Sequence, residues 1–270
     1  MQDRYVGDVG DFGKYGLLRA LLGPFKSEAV LSLGMVWYLV PDQGNGGDGS
    51  KIGYLSLPPN RAALFRECDP ALYDTLRDLV LLGIRSTQKV RDASVLPDGT
   101  RFFAEPLTFA SVHRNGKASQ SVRAAWLEGA CQATEGCDLV FLDPDNGLGA
   151  SVLPHSKAGV KYAYLDEVNR YLDRSQSVVV YHHIGRRGTS REQVSRQLRR
   201  LADSHEHGGK FAMLYHRGTA RAFLVVESTR HHGLLLERAR GMMSGPWSRH
   251  FEIVLEDHHS QSGVLSRRVT

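Results

Sequence analysis

Apolar positions along the chain follow two rhythms. The first is a short continuous apolar run closed by polar residues. Leu139-Val-Phe-Leu142 ends at Asp143, and Val178-Val-Val-Tyr181 ends at His182 and His183. Such runs suit central strands buried on both faces of a parallel sheet. Strands are also expected over 35–40, 211–216, 222–226 and 250–255. The second rhythm is helical. Leucines 17, 18, 21 and 22 give an apolar face to a helix over 12–22 capped by Asp11. Helices are expected as well over 69–82, 119–134, 162–172, 191–203 and 234–243. Residues 89–107 read as a hairpin, with strands at 90–96 and 101–107 around Pro97-Asp98-Gly99.

From residue 120 onward helix and strand alternate. That order predicts an α/β fold: a doubly wound, mostly parallel sheet with an antiparallel strand near the C-terminus and a small hairpin insertion. We expect one domain over 1–255, with the insertion spanning 52–118 and a flexible polar tail at 256–270. The 270 residues suffice for a sizeable core.

Composition narrows the class. No run of about 18 apolar residues is present, which excludes a membrane-spanning helix. The polar, acidic opening Met-Gln-Asp-Arg-Tyr-Val-Gly-Asp reads against a signal peptide. Cys68, Cys131 and Cys137 have no metal-type spacing and form an odd set, as expected of a cytoplasmic protein without structural disulfides. The formal charge of +5 and a pI near 9.1 suit an anionic partner.

Candidate chemistry gathers where strands are expected to end. Asp143-Pro144-Asp145-Asn146-Gly147 places two carboxylates and an amide at a carboxyl edge, where ligands of open α/β sheets bind. Pro144 lacks a ladder donor and Gly147 permits positive φ, so the chain leaves the sheet there. The segment Asp8-x-x-Asp11-x-x-Lys14-Tyr15 spaces its charges by three within a glycine-rich opening, a backbone expected to approach something closely. The strand at 35–40, which includes Tyr38, runs into Pro41-Asp42-Gln43-Gly44-Asn45-Gly46-Gly47-Asp48-Gly49, a nucleotide-loop-like stretch without a phosphate-loop signature. His182 and His183 alternate across the sheet, so at most one faces the cleft. Six arginines between 186 and 200, among them Arg186, Arg187, Arg191 and Arg196, would suit phosphate oxygens of a nucleic acid.

These pieces together resemble the Rossmann-like S-adenosylmethionine-dependent methyltransferases, and among them the bacterial ribosomal RNA adenine-N6 methyltransferases of the J type. Those enzymes carry Asn-x-x-Asp-x-x-Lys-His before their first helix, where this chain has Asp8-x-x-Asp11-x-x-Lys14-Tyr15. They follow it with a strand and a glycine-bearing cofactor loop, which 37–49 resembles. They end their fourth strand in Asp-Pro-Pro-Tyr, where Asp143-Pro144-Asp145-Asn146 stands here. The order agrees over roughly residues 5–255. The chain is also similar to a group of bacterial proteins with the same Asp-Pro-Asp-Asn-Gly-Leu motif.

The resemblance implies a Rossmann-like fold and methyl transfer to a base amino group. Asp143 would orient the amine, with Asp145, Asn146, Lys14 and His182 completing the catalytic set. Asp8, Asp11, Tyr15, Tyr38, Asp42, Gly44 and Gly46 would hold S-adenosylmethionine. The motif lacks the aromatic that stacks on a flipped base, for which Tyr181 or Phe12 would have to substitute. Two other classes stay open. One is a nuclease or phosphodiesterase holding Mg²⁺ or Mn²⁺ on Asp143, Asp145, an N-terminal Asp and a histidine. The other is a non-catalytic nucleic-acid-binding relative.

Overall fold

The computed structural model describes residues 3–23, 31–40, 49–109, 116–202 and 208–256. Its strands are β1 (Leu33–Trp37), β2 (Arg101–Phe103), β3 (Leu139–Asp143), β4 (Gly147–Leu148), β5 (Tyr162–Ala163), β6 (Ser177–His183), β7 (Gly209–Tyr215), β8 (Arg221–Glu227) and β9 (Phe251–Leu255). Its helices are α1 (Val9–Leu22), α2 (Pro59–Arg66), α3 (Pro70–Leu81), α4 (Thr87–Asp92), α5 (Gly116–Ala133), α6 (Leu165–Leu172), α7 (Ser190–Ala202) and α8 (Leu234–Met243). No described helix is long and apolar enough to cross a membrane.

Seven strands form one sheet in the order β2-β1-β3-β6-β8-β7-β9. The neighbours β2, β1, β3 and β6 are parallel, β8 opposes β6 and β7, and β9 opposes β7. The sheet is therefore mostly parallel in direction, and two strands near the C-terminus run backwards where one was expected. Strands β4 and β5 pair separately.

Strand alternation sorts side chains to two cores. Odd positions of β3, such as Leu139 and Phe141, join α1, α3 and α8. Even positions, such as Val140 and Leu142, join α5, α6 and α7. Each fully buried leucine or valine contributes about 1.5–3 kcal/mol of transfer free energy, so the two faces together fix the register.

Helix α1 lies within the protein, with 12 of its 14 residues buried. Its glycines serve packing. A Cβ on Gly13 would come within 2.6 Å of the Tyr215 ring, and one on Gly16 within 2.2 Å of the Trp247 ring. The close approach expected of this glycine-rich stretch is thus made by aromatic rings of the protein itself. The helix also starts earlier than expected: Asp8, not Asp11, is the N-cap, its Oδ1 accepting from Gly10 N at 2.7 Å.

The expected hairpin is not formed. Thr87–Asp92 is helix α4, whose start is fixed by Ser86 accepting from Lys89 N and by Asp3 accepting from Thr87 N at 2.8 Å. Only Arg101–Phe103 is a strand, and it pairs in parallel with β1. Val90 and Val95 are both buried in the α1 core; their apolar spacing imitates strand alternation, but capping by Ser86 and Asp3 decides the helix. The cysteines are free thiols. The tail beyond 256 lies outside the described residues.

Candidate active site at the carboxyl edge

The chain moves from β1 outward to β2, then returns to the other side of β1 as β3. The carboxyl ends of β1 and β3 flank that change of direction, the position where open α/β sheets bind ligands. Trp37 and Asp143, the last residues of these strands, are register partners.

The two motifs singled out in the sequence meet here. Lys14 Nζ lies 2.7 Å from Asp11 Oδ1 and 2.9 Å from Asp143 Oδ2. All three residues are at most 5% exposed. Their spacing explains the contact: Asp11 and Lys14 are one turn apart on α1, and Asp143 is an odd β3 position facing that helix. Burial lowers the Lys14 ammonium, but Asp11 and Asp143 outweigh it and hold the charge well above the ordinary lysine value. Burial also pushes the Asp11 carboxyl up to about 6, against the pull of Lys14. Asp8 caps the helix and lies 3.7 Å from Arg221. The Tyr15 phenol is raised by burial and by Asp11, and Lys14 stands 4.9 Å from its ring centroid.

Three buried polar atoms beside this cluster lack a hydrogen-bond partner: Asp11 Oδ2, Tyr15 Oη and Trp37 Nε1. Buried polar atoms are normally paired, so an unpaired set at a strand edge calls for an explanation. Asp145 and Asn146 are partly exposed at the turn that follows. That turn is pinned: Asn146 N donates to Lys161 O at 2.9 Å, Gly149 N to Ala163 O at 2.8 Å, and Arg200 to Gly149 O at 2.6 Å. Arg123, paired with Glu167 at 2.6 Å, grips the carbonyls of Pro154, Gly159 and Tyr162 and so fixes the loop behind it.

Two expected site residues are placed elsewhere. His182 is an even β6 position between Tyr181 and His183, so it points away from Asp143 into the α5–α7 side. There its Nδ1 accepts from Leu148 N at 3.1 Å. Burial holds its imidazole down at about 4. It props the Gly147 turn as a neutral acceptor. Tyr38 is likewise on the far face, fully buried, and donates to Glu167 at 2.9 Å. Trp37, one residue earlier, takes the site position. Asp42, Gly44 and Gly46 lie outside the described residues.

Among the arginines, Arg186 and Arg187 are exposed on the loop after β6, at the same sheet edge as Asp143. Gln193 shapes that loop by accepting from Gly185 N at 2.9 Å and donating to Gly185 O at 3.0 Å. Arg191 and Arg196 are exposed on α7, in the layer opposite α1, and Arg191 pairs with Glu252.

Trp37 and Arg221 belong to the site although the sequence reading did not select them. The Arg221 guanidinium lies over Gly10, where a Cβ would stand 1.2 Å from Nη1. Alternation along β1 could have found Trp37. Arg221 needs the antiparallel pairing of β6 with β8, which no local pattern gives. Among the described residues no three or more His, Cys, Asp or Glu side chains are arranged to hold a metal ion; the cation between Asp11 and Asp143 is Lys14. No family model matches the chain, and no curated protein does either.

Proposed function

We propose that the protein is an S-adenosylmethionine-dependent methyltransferase of Rossmann-like fold that acts on an amino group of a nucleic-acid base. The observation that carries this reading is the 2.9 Å contact between Lys14 and Asp143, which joins the two resemblance motifs at the sheet's change of direction. The residues present suit the cofactor: Asp11, Tyr15 and Trp37 offer unpaired buried polar atoms beside the end of β1, and would hold it. When bound, S-adenosylmethionine supplies an electrophilic methyl group. The Asp143 carboxylate, fixed by the Lys14 ammonium, accepts from the acceptor amine and sets its direction. Asp145 and Asn146 meet the substrate at the mouth of the site. Arg186 and Arg187 take the phosphate backbone. The Lys14 ammonium lies between Asp11 and Asp143, in the place a cation of phosphodiester chemistry would take, and this favours methyl transfer.

The test is calorimetric titration with S-adenosylmethionine, followed by transfer of a labelled methyl group to mixed single-stranded RNA and DNA. Binding of the cofactor, and methyl transfer abolished in a folded Asp143→Asn protein, are the expected results. Nucleic-acid binding with no cofactor binding would instead identify a non-catalytic relative. Cleavage that depends on added Mg²⁺ or Mn²⁺ would overturn the proposal.

A further inference from the structure

Helix α1 has a second face. At about 100° per residue, Gly16, Arg19, Ala20 and Gly23 fall on the side opposite Lys14 and the leucines that meet the sheet. Arg19 and Ala20 are the two residues of the helix that are not buried. Here α1 borders a cleft of about 450 Å³, walled also by Asp69 at the start of α3, by Arg238 and Met242 of α8, and by Trp247. That size lies within the range of small-ligand sites. Neither Asp11, Lys14 nor Asp143 lines it.

The walls combine apolar surface with placed charge. Arg19 is committed within the protein: its Nε pairs with Asp69 at 2.7 Å, and its Nη1 donates to Val95 O at 2.9 Å. That pair holds α1 against α3 and supplies no net charge. Arg238 makes the cleft positive. Its Nη1 donates to Leu21 O at 2.7 Å near the end of α1, and its guanidinium lies 3.0 Å from where a Cβ on Gly23 would stand. Burial lowers this cation from its ordinary value, with Glu237 opposing. An anion beside it would offset that cost. The Trp247 indole adds a donor. Its Nε1 makes no hydrogen bond among the described residues and is not one of the sealed polar atoms. Part of the 6% of this residue that stays exposed is therefore its N–H, on a ring that lines the cleft.

We infer that this cleft binds a small organic acid with an apolar body, its carboxylate accepting from the Trp247 indole and lying against the Arg238 guanidinium. The apolar body replaces water over Ala20 and Met242. Indole N–H and guanidinium both donate and neither accepts, while the Asp69 carboxylate is taken up by Arg19. The walls therefore select an anion over an amine or a neutral alcohol. The inference is independent of methyl transfer and assigns a second site, on the far side of α1 from Asp143.

The chain has three tryptophans, Trp37, Trp126 and Trp247, so NMR spectra of the indole N–H groups in the full-length protein read the site directly. Trp247→Phe assigns the signal. Phenylacetate, phenylethanol and acetate serve as probes: acid with body, body alone and charge alone. Phenylacetate should move the Trp247 signal saturably, with a Kd on the order of 1 mM or tighter. Phenylethanol and acetate should bind at least about tenfold more weakly. Arg238→Gln should weaken phenylacetate binding by about 10- to 150-fold. Ala20→Phe, which fills the cleft and keeps both donors, should abolish the shift. Trp37 and Trp126 signals at their wild-type positions show that each variant is folded, and if Arg238→Gln does not fold, Ala20→Phe decides. A Trp247 signal that phenylacetate does not move would overturn the inference. So would equal affinity for phenylethanol, or full affinity in either folded variant. Shifts confined to Trp37 would overturn it as well and assign the acid to the Asp143 edge.

Discussion

Lys14 and Asp143, 129 positions apart in the chain, share a 2.9 Å hydrogen-bonded ion pair in which both side chains are almost wholly buried. Asp11 holds the same ammonium from the other side. One cation thus bridges two carboxylates and ties the first helix to the central strand. Breaking such a pair from one side leaves uncompensated buried charge, which costs about 3–5 kcal/mol. Lys14→Met should therefore destabilise the fold by about that much in urea unfolding. The triple change Lys14→Met, Asp11→Asn and Asp143→Asn should recover a large part of the loss. If the triple variant is no more stable than Lys14→Met, the charges are not the reason for the cluster.

How far the sequence led differs between parts of the molecule. The buried runs at Leu139–Asp143 and Ser177–His183 were legible because a strand inside a parallel sheet needs continuous apolar residues. The Lys14 and Asp143 motifs were legible individually, each by its local density of polar groups. Their contact was not, because it depends on which face of β3 meets α1. His182 shows the same limit: alternation allowed at most one of two histidines to face the cleft, and His182, the one selected, points to the other side. The odd position there is Tyr181. The failed hairpin at 89–107 had a different cause. Capping by Ser86 and Asp3 decides the helix, and Asp3 lies 84 positions away from Thr87.

His182 should make stability acid-sensitive. Its folded value of about 4 lies below the ordinary 6.5. The unfolded state then binds more protons between these limits, so stability is full above about pH 6.5 and falls as pH drops toward 4. The contribution at stake is about 3 kcal/mol. His182→Gln should remove this contribution, so that the difference in stability between variant and wild type changes by about that amount in denaturation curves taken from pH 4 to 7. An unchanged slope would show that the imidazole is solvated.

Asp11 acts in the opposite direction over nearly the same range. Its carboxyl is raised from 3.8 to about 6, so the folded state binds the extra proton. The associated stability is present below about pH 4 and lost as pH rises through 6, by about 3 kcal/mol. In the wild type the two slopes oppose each other and stability should vary little between pH 4 and 6. Asp11→Asn should expose the His182 slope, and His182→Gln the Asp11 slope. A carbon-detected NMR titration that places Asp11 near 4 would contradict this account directly.

Gly147 is held at φ +104°, and an added Cβ would stand 2.4 Å from His182 Nδ1 and 2.6 Å from its Cα. The second contact is with backbone, so no side-chain rotation relieves it. Gly147→Ala should destabilise the protein by about 1–3 kcal/mol through strain at this conformation. Because the turn carries Asp145 and Asn146, the same change should reduce activity more than the loss of folded protein explains. Thermal unfolding and specific activity per folded molecule, measured together, check both halves.

Arg186 and Arg187 stand on a loop shaped by Gln193 at the reactive edge, whereas Arg196 is exposed on α7 in the layer opposite α1. Nucleic acid lying across the carboxyl edge would engage the first pair and not the third. Each phosphate contact removed lowers the slope of log affinity against log salt by about 0.7 for a single strand. The double change Arg186→Ala and Arg187→Ala should therefore flatten that slope by about 1.4 and weaken binding of all sequences alike. Arg196→Ala should leave the slope near that of the wild type. Fluorescence anisotropy of a labelled 20-mer across a salt series measures both. Equal flattening by the two variants would place the strand along α7, away from Asp143, and would separate the basic surface from the chemistry at the sheet edge.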